Sequence, residues 1–254
     1  MRLKLYVVHG SHPCAAVEKA LSLKGLSYGV VEWPPPLQAP MQALLFGGRT
    51  VPALRIDGEK VQGSRPIMRR LDELVPEPPL LPSEQPARTN VLEAERWGDE
   101  YFQQVARELI WAAFVHSPGA MVSYSRHSRL RLPAPVVRLN APLIARLGRG
   151  LNNTGDEVAG RAILALPAQL DKIDGLIADG TIGDVEHPNA ADLQLFSTIR
   201  LMLTMADVRP LIEGRPCAAP ARALFPDADG EMPAGSLRAA YGARRVGADY
   251  PHPR

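Results

Sequence analysis

One short stretch, Gly10-Ser11-His12-Pro13-Cys14, sets a hydroxyl, an imidazole and a thiol side by side. Ser11 is a preferred residue for capping a helix N-terminus, but a hydroxyl in that position can also donate a hydrogen bond to an anion held at the same helix end. Cys14 would react only as a thiolate. Its spacing from Val17 and Leu21 puts it on the apolar side of a helix, where a free cysteine packs as a small hydrophobe. It has no resolving cysteine nearby. His12 either tunes the charge beside Ser11 or faces solvent, and the residues alone leave that open.

The elements around the stretch explain how it would be positioned. "LKLYVV" is an apolar, β-favouring run that ends at His9 and Gly10, as a buried strand would. Behind the turn, Ala16, Val17, Ala20, Leu21 and Leu23 recur at helical spacing, with Pro13 suited to a first turn and Gly25 to a C-cap. "SYGVVEW" reads as a second strand, so the first 33 residues form a βαβ unit. The proline-rich "EWPPPLQAP" predicts a loop with at most a short or irregular helix. "TVPALRIDGEKVQGS" then alternates around Asp57-Gly58 as a hairpin, and "SRPIMRRLDELVP" spaces Ile67, Leu71 and Leu74 along one helix face, with Ser64 as its N-cap candidate.

Residues 76–86, "PEPPLLPSEQP", carry too many prolines for helix or sheet and mark a boundary. Residues 87–213 read as all-helical. A long amphipathic helix includes Val91, Trp97, Tyr101, Val105 and Leu109, a second lies within Pro118 to Leu147 and is broken at Pro133 and Pro135, and "HPNAADLQLF" starts a buried helix with Asn189 and Asp192 as a capping box. From Gly214 to Arg254, Pro, Gly, Ala and Arg predict mostly irregular structure. The fold class is therefore α/β plus all-α, with residues 1–75 as the first domain.

Bulk composition narrows the function by exclusion. A formal net charge of +2, with 46% hydrophobic and 22% charged residues, gives no argument for nucleic acid or an anionic membrane as partner. The two cysteines, Cys14 and Cys217, lie far apart, which excludes a disulfide scaffold or a cysteine-based zinc site and fits a reducing compartment. The histidines His9, His116, His127, His187 and His252 show no metal-ligand spacing with carboxylates, so no metal is expected. The N-terminus reaches Gly10 too early for a signal peptide and no apolar run spans a bilayer, so a cytoplasmic protein is expected. "SYSRHSRLRLPAPVVRL" mixes basic and apolar residues and is read as a solvated face.

Three motifs, "SHPCAAVEKAL", "TVPALRIDGEKVQGSRPIMRRLDEL" and "HPNAADLQLF", together resemble the soluble glutathione S-transferases over nearly the whole chain. The resemblance implies a thioredoxin-like N-terminal domain followed by a helical-bundle domain, in a homodimer that uses glutathione as co-substrate. It is closest to the serine-type, theta-like branch, which implies that Ser11 donates to the glutathione sulfur. Val51-Pro52 matches the family's cis-proline position, where the backbone pairs with the cysteinyl part of the peptide. Gln62 and Ser64 match the pattern that holds the γ-glutamyl end, with Gly63 where many members carry an acid. His12, Tyr101, Arg107, Trp111 and Tyr124 fall where the family's second domain overhangs the thiol and are candidates for an electrophile pocket. The implied activity is glutathione conjugation to a small apolar electrophile. The alternatives are a non-catalytic binding or regulatory protein on the same fold and a glutathione-dependent isomerase, lyase or dehalogenase.

Overall fold

The computed structural model describes residues 1–227 and 229–246. β1 (Leu3–Val7) is buried at four of its five residues, pairs in parallel with β2 (Gly29–Glu32) and antiparallel with β3 (Ala53–Ile56), and β3 continues to β4 (Glu59–Gln62). The order β2-β1-β3-β4 keeps the most apolar strand inside. Asp57 and Gly58 both take positive φ, 47° and 106°, the geometry that lets a two-residue turn follow the twist of its strands. α1 (His12–Leu23) joins β1 to β2, and α3 (Ser64–Leu74) follows β4.

Between β2 and β3 lies a full helix, α2 (Pro35–Phe46), where the sequence predicted a proline loop. The prolines gather at its first turn, where the N–H they lack has no helical partner to lose. Only Pro40 lies inside.

Residues 76–86 form a segment without helix or strand that is anchored at Leu80. The buried Lys24 ammonium donates to Asp72 Oδ1 (2.6 Å), the same oxygen accepts the Leu80 N–H (2.9 Å), and Leu80 O accepts the Ala190 N–H of the second domain (2.8 Å). With Leu80 and Leu81 buried, the segment belongs to one apolar core that runs through both domains.

The second domain opens with α4 (Ala87–Trp97) and α5 (Gln103–His116), joined by a π-helical turn over Gly98–Phe102. A Cβ on Gly98 would stand 2.9 Å from Leu195 Cδ2, so glycine permits close approach there. α6 (Met121–Tyr124) and α7 (Ala134–Leu151) follow, α7 starting directly after Pro133 with Pro135 in its first turn. The break expected at these prolines is thus a helix start. α8 (Asp156–Ala178) and α9 (Ala190–Met202) complete the bundle, α9 packing against α1, α4 and α5. Among the described residues beyond Gly214 there are two helices, α10 (Ala218–Leu224) and α11 (Arg238–Val246), where mostly irregular chain was expected. Ala218, Ala221 and Leu224 bury one face of α10, and α11 packs on α8, so tertiary contact overrides a composition rich in Pro and Gly. His252 and the rest of residues 247–254 lie outside the described residues.

α7 rests on α5 through Gly148, where an added Cβ would fall 2.1 Å from the Trp111 ring. Gly148→Ala gains roughly 0.5–1 kcal/mol of helix propensity but presses a methyl group into the half-buried Trp111 ring, at a cost of about 1–3 kcal/mol. The ring is no flexible chain end, so a net loss is expected, read as a lower Tm by circular dichroism.

Candidate active site

Sheet register gathers the segments that carry Ser11, Val51, Pro52, Gln62 and Ser64 at one end of the first domain. Tyr6 of β1 lies opposite Ala53 of β3, and Ala53 lies opposite Gln62 of β4. Chain leaving β1 toward Ser11, chain entering β3 through Val51-Pro52, and chain leaving β4 into Gly63-Ser64 therefore emerge at the same edge. Ser11, on the central strand's exit, separates a β3–β4 side from a β2 side.

Ser11 occupies the N-cap position of α1 with extended backbone (φ −76°, ψ 116°), yet its hydroxyl makes no capping hydrogen bond. Its backbone N–H donates to Val8 O (3.2 Å), and its C=O accepts from the Ala15 N–H (3.0 Å). The half-buried hydroxyl is thus left at a helix end, where the aligned peptide dipoles favour an anion. Cys14 is buried beneath it. Burial pushes the Cys14 thiol up to about 12, outweighing the Ser11 hydroxyl and a Val8 backbone contact, which act to lower it. A thiol in that state is packing, as its helical spacing indicated. His12 is buried too, and desolvation, with the Arg107 guanidinium adding to it, brings its pKa down to about 3. It is a neutral imidazole whose Nε2 finds no hydrogen-bond partner among the described residues.

On the β3–β4 side the Val51–Pro52 peptide bond is cis, and Pro52 O accepts the Gly63 N–H (2.9 Å). Gly63 itself, at φ +95°, caps α3 in a conformation that side chains rarely adopt, which accounts for glycine at this position. Ser64 is accordingly the first residue of α3 rather than its N-cap. Its buried hydroxyl donates to Gln194 Oε1 of α9 (3.0 Å). Gln62 turns away from Ser64: its Nε2 donates to the carbonyls of Gly48 (3.0 Å) and Thr50 (2.7 Å), fixing the loop before β3. Beside Ser64, the Arg65 guanidinium lies 3.7–3.8 Å from the carboxylates of Glu95, Asp99 and Glu100.

On the β2 side a cavity of about 460 Å³ opens next to Ser11, with His12, Cys14 and Ala15 in the same wall. α1 contributes Glu18 and Lys19, the end of β2 Glu32, and α9 Ser197 and Arg200, while Phe225 to Asp227 and Asp229 close it from the chain after α10. Burial raises the pKa of Glu18 against the opposing pull of Arg129 and His9. Glu32 accepts from Ser128 Oγ (2.6 Å) and the Arg129 N–H (2.8 Å), tying the segment between α6 and α7 to the first domain. Sequence reasoning missed this polar wall, because it is assembled from residues about 100 to 200 positions apart that share no local pattern.

Of the residues expected over the thiol, His12 lines the cavity and the other four lie elsewhere. The buried Tyr124 hydroxyl hydrogen-bonds Thr204 Oγ1 (2.6 Å), and its ring packs edge-on against Phe114. Its backbone backs the turn: Tyr124 O would lie 3.6 Å from a Cβ on Gly10. Trp111 is spent on Gly148, and Arg107 donates to Gln104 Oε1 (2.9 Å) within its own helix. Tyr101 is 61% exposed. Helical spacing could not tell core from pocket for these side chains. Among the described residues no three of His, Cys, Asp or Glu are arranged to hold a metal ion, and no helix is long and apolar enough to cross a membrane.

Residues 5–79 match the family model for the N-terminal domain of glutathione S-transferases. The fold is similar to a beta-etherase of Sphingobium sp. strain SYK-6 (18% identity, covering 95% of this chain and 99% of that one, TM-score 0.67). A glutathione S-transferase of Rhodospirillum rubrum F11 aligns at 19% identity over 94% and 91% of the two chains (TM-score 0.57), and a maleylacetoacetate isomerase of Anaeromyxobacter dehalogenans 2CP-1 at 21% over 98% of each (TM-score 0.54). At these identities the likeness is one of fold. A search of curated protein sequences returns no match.

Proposed function

We propose, from the match of residues 5–79 to the family model for the N-terminal domain of glutathione S-transferases and from the likeness of the whole fold to solved structures, that the chain is a serine-type enzyme of that family that activates the thiol of glutathione toward a small electrophile. The observation that carries this reading is the uncapped Ser11 hydroxyl at the α1 N-terminus, between a cis-proline edge on one side and a cavity on the other. Glutathione would lie along the β3–β4 side. The Val51 N–H and C=O find no hydrogen-bond partner among the described residues and suit strand-like pairing with the cysteinyl unit. The γ-glutamyl carboxylate would meet the first-turn N–H groups of α3 at Ser64. The sulfur then falls at Ser11, whose hydroxyl donates to the thiolate and, with the helix end, favours it over the thiol. The electrophile would approach from the β2-side cavity. Its lining is mixed, with Val7, Leu201, Leu224 and Phe225 beside Glu18, Glu32 and Arg200, and suits a substrate with an apolar body that also carries a hydrogen-bonding group.

A second reading, a binding or regulatory protein that does not turn glutathione over, is favoured by one feature. The Ser64 hydroxyl and the Gln62 amide nitrogen are engaged within the protein, and Gly63 supplies no acid. Glutathione titration followed in the ultraviolet separates the two. The enzyme reading expects saturable binding with a thiolate absorbance present near neutral pH; binding without that band would favour the second reading, and no binding would end both. The reaction class, whether conjugation, isomerisation, lyase or dehalogenase chemistry, follows from the electrophile, and the assignment to a homodimer rests on the family resemblance.

A further inference from the structure

A net charge of +2 conceals a local segregation: residues 109–155 carry six arginines and no Asp or Glu. Within that stretch lies α7. Val137, Ala141, Ala145 and Gly148 bury one of its faces, and the helix packs on α5. The opposite face is apolar and open. Val136, Leu139, Leu143, Leu147 and Leu151 recur every three or four residues, each between 43% and 82% exposed, and Leu132 just before the helix is exposed as well. At 1.5 Å per residue the row follows an 18-residue helix for about 27 Å. Single exposed leucines are ordinary on a protein surface, whereas a contiguous row marks a place of interaction. With 3.6 residues per turn, the exposed Arg138, Arg146 and Arg149 fall on one flank of that row. Arg138 and Arg146 make no ion pair among the described residues. Arg149 Nε donates to the Thr154 carbonyl (3.0 Å) rather than to a carboxylate. At the start of the helix Arg126, Arg131 and Leu132 share the wall of a second cavity, of about 690 Å³, with Glu231 as an acidic neighbour.

We propose that α7 docks the protein on an anionic lipid bilayer, its leucine face entering the interface and its arginines pairing with lipid phosphates and carboxylates. The helix lies in the plane of the surface and does not cross it. Bulk charge gave no argument for a membrane, but a surface senses the charge within a Debye length, about 8 Å, and there α7 is purely basic. Exposures this high describe a ridge rather than a groove, so an acidic polypeptide could pair with the arginines but would leave the leucines in water. A second copy meeting this face about a two-fold axis would bring the same arginines together with no carboxylate between them. A bilayer accommodates both halves of the pattern. Arg129, in the wall of the cavity beside Ser11, precedes Leu132 by three residues, at most about 11 Å of chain, so a docked α7 keeps that cavity near the surface. The docking does not depend on glutathione binding.

The test is co-sedimentation of the full chain with vesicles of an equal mixture of phosphatidylcholine and phosphatidylserine, against vesicles of phosphatidylcholine alone. The parent is expected to bind the mixed vesicles roughly tenfold or more tightly than the neutral ones, and to be released as salt approaches about 1 M. Arg138→Gln with Arg146→Gln should weaken binding to the mixed vesicles about 25-fold, at about fivefold for each arginine. Leu139→Gln with Leu143→Gln should weaken it at least about tenfold. All four side chains are exposed, so Tm should hold in both double variants; if the leucine variant does not fold, the arginine variant decides. Absence of vesicle binding by the parent, equal binding to both kinds of vesicle, or full retention by both double variants overturns the proposal. Binding of polyglutamate without vesicle binding overturns it in favour of an acidic polypeptide. A parent dimer without vesicle binding, which Leu139→Gln with Leu143→Gln converts to a monomer, overturns it in favour of a second copy.

Discussion

Ser11→Ala is expected to bind glutathione about as well as the parent, while the pKa of the bound thiol rises by about 1–2 units, because a hydrogen bond to a charged acceptor contributes about 1.5–3 kcal/mol. For a parent thiol about half ionised at neutral pH, the thiolate fraction, and with it kcat/KM, should fall about 5- to 50-fold, and the deficit should close as pH is raised past the shifted pKa. The sign follows from which form the hydroxyl favours. A hydroxyl that donates to the thiolate, as proposed for Ser11, favours the charged form, so its loss would move the titration upward. A pH profile of kcat/KM, together with ultraviolet titration of the bound thiol, measures both quantities.

The same variant discriminates against the structural role of Ser11. A capping serine replaced by alanine costs about 0.5–2 kcal/mol of stability. Since the Ser11 hydroxyl makes no capping bond, Tm should move little. A large drop in Tm with an unchanged thiol pKa would return Ser11 to the role of a cap and shift the activating function to the α1 helix end alone.

The parts of the site legible in the sequence were those encoded by neighbouring residues. "LKLYVVHGS" signals a strand that stops at a turn, and Asp57-Gly58 signals the hairpin that brings Val51-Pro52 and Gln62-Gly63-Ser64 to one edge. The alternation of apolar residues sets the register, and the register alone places those segments together. Asn189 and Asp192 were readable for the same reason. What was not legible depended on contact between distant segments. Nothing near Ser64 announces Gln194, and nothing near His9 announces Asp229. The prolines misled at α2, while at α7 they marked the break between two helices as expected. A proline in a first helical turn and a proline in a loop look alike until the following residues find something to pack against.

The largest stability effect is expected at Asp192, which is fully buried in α9. Its Oδ2 accepts the Asn189 N–H (2.9 Å) and its Oδ1 the Gly183 N–H (2.6 Å), while Asn189 Oδ1 accepts from Ala191 N–H (2.9 Å) and Asp192 N–H (3.1 Å). Asp192→Ala strands two interior N–H groups at about 1–3 kcal/mol each, so a loss of about 3–4 kcal/mol is expected. For a chain of this size that lowers Tm by about 10 °C. Burial also raises the Asp192 pKa from 3.8 to about 6, despite the two donors. A carboxyl whose folded pKa lies above its unfolded one holds its proton more tightly when folded, so its contribution to stability is fully present below the unfolded pKa and is lost as pH rises through about 6. The cost of Asp192→Ala should therefore be larger at pH 5 than at pH 7, by about 1 kcal/mol, measured by urea unfolding of both proteins at each pH. The reverse trend would mean that the two N–H donors outweigh desolvation and hold Asp192 ionised well below pH 5. Because α9 packs on α1 and supplies Gln194 to Ser64, loosening its N-terminus should also weaken glutathione binding before the protein unfolds globally.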